Sequence, residues 1–430
     1  MIYKNIKTEY PLIYKTKENN KNININNVID GEDISYDNGK LKILNKSEHR
    51  IDYCQYQSEC GGCQFMHVDY EYEIKIKKGY INNLLKDFYQ DIDIIPSDNI
   101  YNYRNKCQMN YKLSNKGNIV SGLYMEHSHN IITIDNCHIQ ASKSNEVINK
   151  INKVLTKNKI LPYDGSGKGV LKNIFIRYGF NSKEMMIVFV TSDKIFPGSN
   201  NLVKDLISLN LGITTIIQNI NPRITPIVLG DKEKILYGKG FIYEYVGNYK
   251  FKISANSFFQ VNTNMMEIIY NKAVEFAKFS KNDVVIDAYS GIGSISIFIA
   301  KYVKEVISVE LNKTAHQNAI INAKLNNIKN INFINDDATK YLVNLAKTSN
   351  KIDKIIMDPP REGSSNDFIF SISKMNIKNV IYISCNPVTL KRDLILFKKL
   401  NYQVIKIVSI DNFPKTQHVE TVVLMSRVDH

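Results

Sequence analysis

The sequence has no apolar run long enough to span a bilayer, and its first twenty residues, MIYKNIKTEYPLIYKTKENN, break every apolar stretch with lysine or glutamate. That argues against a helical membrane protein and against a secretory leader, so a cytoplasmic protein with no membrane partner is expected. The dense cysteine framework of a secreted disulfide scaffold is also missing: 430 residues carry six cysteines, unevenly placed. No internal repeat and no disordered tail are visible. The third glycine of a dinucleotide fingerprint is absent too, Ser296 standing in its place within VVIDAYSGIGSISIFIA.

What is present suffices for two or three domains, since 43% of the residues are hydrophobic. A formal charge of +14 suggests a polyanionic partner. A chain rich in Lys, Asn and Ile throughout offers a blander explanation, so charge alone tilts the reading only modestly towards nucleic acid. Cys54, Cys60 and Cys63 crowd together and Cys137 follows at a distance, the grouping of a metal or cluster site in a reducing compartment. Cys107 and Cys385 are left over.

Three regions follow from the patterning. Residues 1–53 carry turn signals at Asp30-Gly31 and Asp37-Asn38-Gly39 between short β-prone runs, a small β appendage. Residues 54–255 read as a β-rich central domain, with strands such as IFIRYGF and MMIVFVT, few long helices, and one amphipathic helix near 70–90. From 256 to 430 strands alternate with helices: VVID, VISVE, INFIN, KIIMD and VIYIS form a doubly wound α/β domain with a mostly parallel sheet.

Strand ends of that sheet carry the chemistry. Asp287 precedes a loop with Gly291 and Gly293 that opens a helix, where a ligand can approach the backbone. No basic residue in the loop meets a phosphate, so a nucleoside without phosphates fits. Glu310 ends the next strand, where a carboxylate can accept ribose hydroxyls, and Asp336 and Asp337 end the third, near an adenine edge. The alternative is that these acids cap helices. Three acids at three successive strand ends favour the ligand, and S-adenosylmethionine is the ligand implied.

In IIMDPPREG, Asp358 is held by a proline turn beside Arg361, placed to orient a base. Cys385 in VIYISCNPVTLKRDL lies at the same sheet edge, with a helix beginning nearby whose N-terminus favours thiolate. Carbon 5 of uracil needs such a group, because thiolate addition to carbon 6 creates an enolate that can attack a methyl donor. A base must then remove the carbon 5 proton. His418 and Glu420 in DNFPKTQHVETVVLMS stand equally as candidates.

The ordered elements CQYQSECGGCQFMH, DNCHIQ, ISANSFFQVN, DAYSGIGS, MDPPREG, YISCNPVTLKRDL and DNFPKTQHVET run from about Ser47 to the C-terminus. With them the chain resembles the RNA uracil-5 methyltransferases, particularly the iron-sulfur 23S ribosomal RNA branch. The resemblance implies Cys385 as nucleophile and Glu420 as base, which decides against His418. It implies Gln260, Tyr289, Glu310, Asp337 and Asp358 around S-adenosylmethionine, Asp358 also reaching the target base. Cys54, Cys60, Cys63 and Cys137 match the ligands of a [4Fe-4S] cluster, whereas spacing alone left zinc open. Cys107 falls where a buried apolar residue is expected.

The same resemblance expects an N-terminal TRAM β-barrel, of which only a short, degenerate version is recognisable here. Met66 replaces an expected glutamine, and Ser290 a common cysteine. The expected partner is 23S ribosomal RNA, with transfer RNA as runner-up and no obligate protein partner. An inactive RNA-binding assembly factor would have lost Cys385 or Glu420, and an electron carrier or NAD-linked oxidoreductase leaves SCNP and DPPR unexplained. A uridine must leave its stack to reach a buried thiol, with Phe258, Phe259 and Tyr289 as aromatic candidates near the pocket.

Overall fold

The computed structural model describes residues 1–18, 21–126, 128, 130–223, 227–348 and 351–428. Among them no helix is long and apolar enough to cross a membrane.

The N-terminal region holds more strands than its sequence suggested. Ile2–Tyr3, Asp33–Asp37 and Lys40–Asn45 form an antiparallel sheet, and Tyr14–Glu18 pairs with Lys21–Ile25 in a separate hairpin. These strands are short, rich in Lys and Asn, and buried only at alternate positions, so their apolar signal is thin. Ile6, Ile25, Val28 and Ile34 make a small core. Asn38 and Gly39, at φ of 48° and 80°, turn the second hairpin in the left-handed conformation that a tight two-residue connection requires. Buried Glu32 accepts from the Ile29 and Ser47 amides and pairs with Arg50 through Nε at 2.5 Å and Nη2 at 2.7 Å. That two-pronged pair ties the appendage to the chain entering the first cysteine.

Asp69 caps the helix Tyr70–Leu85 by accepting from Tyr72 N. Ile81 and Leu85 bury against Leu394 and Phe397 of helix Pro387–Lys399, and the next segment supplies strand Ile94–Ile95 to the edge of the C-terminal sheet. Residues 70–95 are therefore built into the C-terminal sheet, and they cover an edge that would otherwise present unpaired backbone groups.

A seven-stranded sheet occupies the centre, in the order Lys232–Gly238, Thr215–Ile220, Met185–Thr191, Leu171–Tyr178, Lys106–Leu113, Ile119–Tyr124, Ile131–Thr133. MMIVFVT is buried at every position because both faces are covered. Helices Ser142–Lys157 and Ser199–Ser208 pack on one face, with Cys107 in that core, and the first is longer than the reading of few long helices anticipated. The other face, through Phe175, Met186, Val188 and Ile217, merges with the core of the C-terminal domain and with hairpin Phe241–Val246/Tyr249–Ser254.

The C-terminal sheet runs Ile331–Ile334, Glu305–Val309, Val284–Ala288, Lys354–Met357, Asn379–Ser384, Glu420–Arg427, Tyr402–Ile410, Ile94–Ile95. The first five strands are parallel, and Glu420–Arg427 is antiparallel to both neighbours. Strand order reverses at Val284–Ala288, which opens a crevice at the carboxyl ends beside it. The antiparallel strand begins where its neighbour Asn379–Ser384 ends, so Glu420 starts at the same edge that Cys385 leaves.

Candidate active site

A cavity of about 560 Å³ sits at that edge, within the size range of small-molecule sites. Gln260, Tyr289, Glu310, Asp358, Cys385, His418 and Glu420 all line it, brought together from segments 160 residues apart. Asp337 is not among the lining residues. Its Oδ1 accepts from Lys340 N and caps helix Ala338–Leu345, while Asp336 pairs with Lys340. For Asp337 the helix-capping alternative describes the observed geometry, whereas Asp336 accepts from Asp337 N and caps no helix.

The loop after Val284–Ala288 forms one end. Tyr289 adopts φ of 65°, uncommon for a residue with a side chain, and its hydroxyl meets Ser364 Oγ at 3.3 Å. A Cβ at Gly291 would meet nothing within 4 Å, whereas one at Gly293 would press Ala319 Cβ at 2.9 Å. The first glycine thus leaves open space beside the backbone, and the second permits close packing on helix Lys313–Leu325. Glu310 spans the loop, accepting from Gly291 N at 2.8 Å and Asn312 N at 2.5 Å. Asp287 lies beneath, wholly buried; Ser296 Oγ donates to it at 2.5 Å, and desolvation lifts its carboxyl to about 7. Apolar walls from Phe259, Ile292, Ile295, Pro359 and Pro360, with a carboxylate at the rim, suit a nucleoside carrying an uncharged thioether or a sulfonium.

At the other end Cys385 faces two acids. Glu420 is 1% exposed, and burial raises its carboxyl to about 7, with Asn412 and Arg361 only partly opposing the shift. Asp358 stands well above the usual carboxylate range through burial, with Glu420 and Asp287 adding like charge. Burial, Glu420 and Asp358 together push the Cys385 thiol up to about 12, and Arg361 only partly opposes them. This corrects the expectation that the neighbouring helix favours thiolate: Asn386 caps that helix, but desolvation and the acids outweigh it. His418 is drawn down to about 4 by burial and by Arg361, whose Nη2 lies 3.3 Å from its Nε2.

Sequence reasoning overlooked several supports. Tyr270, whose hydroxyl meets Ser294 Oγ at 2.8 Å, lines the cavity from helix Thr263–Ala277, where it reads as one more core position. Asp393, inside the TLKRDL motif, accepts from Tyr382 Oη at 2.7 Å and Ser364 N at 2.9 Å and pairs with Arg392, which in turn donates to Glu362 O. The motif thereby clamps the turn that follows Asp358. Behind the approach to Glu420, Lys77 is fully buried between Glu73 at 2.6 Å and Asp411 at 2.7 Å, and Lys415 sits 3.3 Å from Glu73. Of the aromatic candidates, Phe258 is 65% exposed and Phe259 is buried, and both line the cavity.

A second cavity, of about 20 Å³, is lined by Cys54, Cys60, Cys63 and Cys137. Burial lifts all four thiols, and Cys63 feels each of the other three. Among the described residues, no three His, Cys, Asp or Glu side chains are grouped tightly enough to grip a single metal ion.

Comparison with known proteins agrees with this architecture. A family described as tRNA (Uracil-5-)-methyltransferase matches residues 69–428. A Clostridium tetani protein named an uncharacterized RNA methyltransferase is 36% identical over 95% of this chain and 92% of its own. A similarly named Oceanobacillus iheyensis protein is 38% identical over 89% and 85%. The crystal structure of Pyrococcus abyssi tRNA (uracil-54, C5)-methyltransferase in complex with S-adenosyl-L-homocysteine aligns with a TM-score of 0.75 at 25% identity, over 92% of this chain and 93% of that one. The chain belongs to the tRNA (uracil-5-)-methyltransferase family and is an S-adenosylmethionine-dependent RNA uracil-5 methyltransferase.

Proposed function

We propose that the protein methylates carbon 5 of a uridine in 23S ribosomal RNA, with Cys385 as covalent nucleophile and Glu420 as the base that removes the carbon 5 proton. The observation that carries this reading is the convergence of Cys385, Asp358 and Glu420 in the cavity that also holds the Tyr289–Gly291 loop and Glu310. Gln260, Tyr289, Glu310 and Asp358 would hold the methyl donor from the cavity wall, and Asp337, whose charge reaches Tyr289, from the neighbouring strand end. When bound, S-adenosylmethionine supplies an electrophilic methyl group.

Cys385 adds through sulfur to carbon 6, the carbon 5–carbon 6 double bond opens to an enolate over carbon 5, carbon 4 and its oxygen, and carbon 5 takes the methyl group as its bond to the donor's sulfonium breaks to leave a neutral thioether. Glu420 then removes the carbon 5 proton, the double bond re-forms and the Cys385 sulfur leaves. A carboxyl near 7 is matched to proton abstraction at neutral pH, whereas an imidazole near 4 is too weak a base, which favours Glu420 over His418. Because the free thiol stays protonated, its proton must leave as the substrate seats; Asp358 is the neighbouring acceptor that leaves Glu420 ionised for the carbon 5 proton.

We further propose that Cys54, Cys60, Cys63 and Cys137 hold a [4Fe-4S] cluster that shapes the central domain. Four unpaired thiols around one cavity support it. The cysteine set also favours 23S RNA over transfer RNA. The transfer RNA reading draws on the family description and on the Pyrococcus enzyme. Incubation with labelled S-adenosylmethionine and unmodified 23S RNA, with transfer RNA in parallel, decides: label in 5-methyluridine of 23S RNA is expected, and label in transfer RNA alone overturns that substrate.

A further inference from the structure

The hairpin Phe241–Val246/Tyr249–Ser254 has two unlike faces. Ile242, Val246, Phe251 and Ile253 point inward and are at most 2% exposed. Phe241, Tyr243 and Tyr245 alternate outward, and the register sets Lys252 opposite Tyr243 and Lys250 opposite Tyr245 on that same outer face. Lysine ammoniums lie on the rings: Lys250 is 4.0 Å from the Tyr243 centroid, Lys239 4.3 Å from the same ring, and Lys252 4.5 Å from Phe241. Glu184 neutralises Lys239 at 2.8 Å. Among the described residues, Lys250 and Lys252 have no ion pair.

The platform is held rigidly. Asn322 and Asn326, one helical turn apart, each exchange two hydrogen bonds with the backbone of Lys252 and Lys250, sealing the outer edge of the hairpin. Asn318, one turn earlier, reaches Ser254 Oγ and Ser257 Oγ. The chain then continues straight into Phe258 and Gln260 at the catalytic cavity.

We propose that this lysine and aromatic face binds a single-stranded stretch of the RNA substrate beside the target uridine. Lys250 and Lys252 are about 7 Å apart along one strand, comparable to successive phosphates of an extended strand, and they are the unneutralised cations of the face. The rings beneath hold the two ammoniums at the surface by cation–π contact, where a phosphate backbone can run across them. The proposal rests on RNA being the substrate, and it adds a surface outside the cavity that sets affinity and leaves the chemistry alone.

The test is binding of a fluorescent oligouridine across a salt series by the full-length protein and its K250Q/K252Q variant, with K250R/K252R as the charge-retaining control. Loss of two single-strand phosphate contacts predicts a salt slope smaller by about 1.4 and affinity roughly twenty-fold weaker at 0.1 M salt. Arginine should restore both, while S-adenosylmethionine binding and turnover at saturating RNA stay unchanged. An identical salt slope in the glutamine variant overturns the proposal. Failure of the wild type to methylate any RNA would count separately, against the functional reading.

Discussion

Glu420→Gln should make the free protein more stable at alkaline pH while abolishing turnover. The carboxyl is raised from 4.5 to about 7 because burial outweighs the opposing effects of Asn412 and Arg361. At about 1.4 kcal/mol per pH unit, ionising it inside the fold costs about 3 kcal/mol more than in the unfolded chain. The sign follows from the direction: a carboxyl whose folded value lies above its unfolded value contributes fully below about 4.5, and that contribution is lost as pH rises through about 7. Glutamine keeps the shape and never ionises. Denaturant unfolding from pH 5 to pH 8 should therefore show the variant gaining on the wild type with pH, by about 3 kcal/mol at the top. Asp287, also raised to about 7 by burial, leaves a parallel decline in both proteins. A stability difference that does not change with pH would show that Glu420 does not ionise at a raised value inside the fold.

Lys77→Met removes one cation from a buried cluster of two lysines and two carboxylates, leaving Glu73 and Asp411 with only Lys415. A loss of about 3 to 5 kcal/mol is expected in denaturant unfolding, with reduced turnover because the Asp411–Lys415 segment leads to Glu420. A loss under 1 kcal/mol would show the lysine to be dispensable. Anaerobically purified protein should contain about four irons and absorb in the visible, and Cys63→Ser should lose both; colourless protein carrying one zinc would contradict the cluster.

The α/β sheet was legible because its parallel strands are continuous apolar runs, each ending in an acid, glycine loop or cysteine at the same edge. Chain order alone then places Asp287, Glu310, Asp358 and Cys385 together. Asp337 was harder, since an acid after a strand has the same appearance whether it meets a ligand or caps a helix. The protonation of Cys385 was unreadable because it depends on Glu420, which arrives from an antiparallel strand 35 residues later. Lys77 was equally hidden. Among the lysines of Tyr70–Leu85 it reads as solvated surface, and only packing against Asp411, over 300 residues away, shows it wholly buried. The N-terminal β appendage was legible from its Asp37-Asn38-Gly39 turn, but its strands were hard to delimit because a half-exposed Lys and Asn hairpin has almost no apolar period.

In the proposed mechanism Cys385 bonds to the uridine and Glu420 ends that bond. Glu420→Gln incubated with its RNA and S-adenosylmethionine should accumulate a methylated protein–RNA adduct, stable to denaturation, whose peptide mass maps to Cys385. Wild type should turn the same RNA over without accumulating it, and Glu420→Gln combined with Cys385→Ala should form none. Methylated RNA from Cys385→Ala, or an adduct mapped to another residue, would rule out Cys385 as the nucleophile.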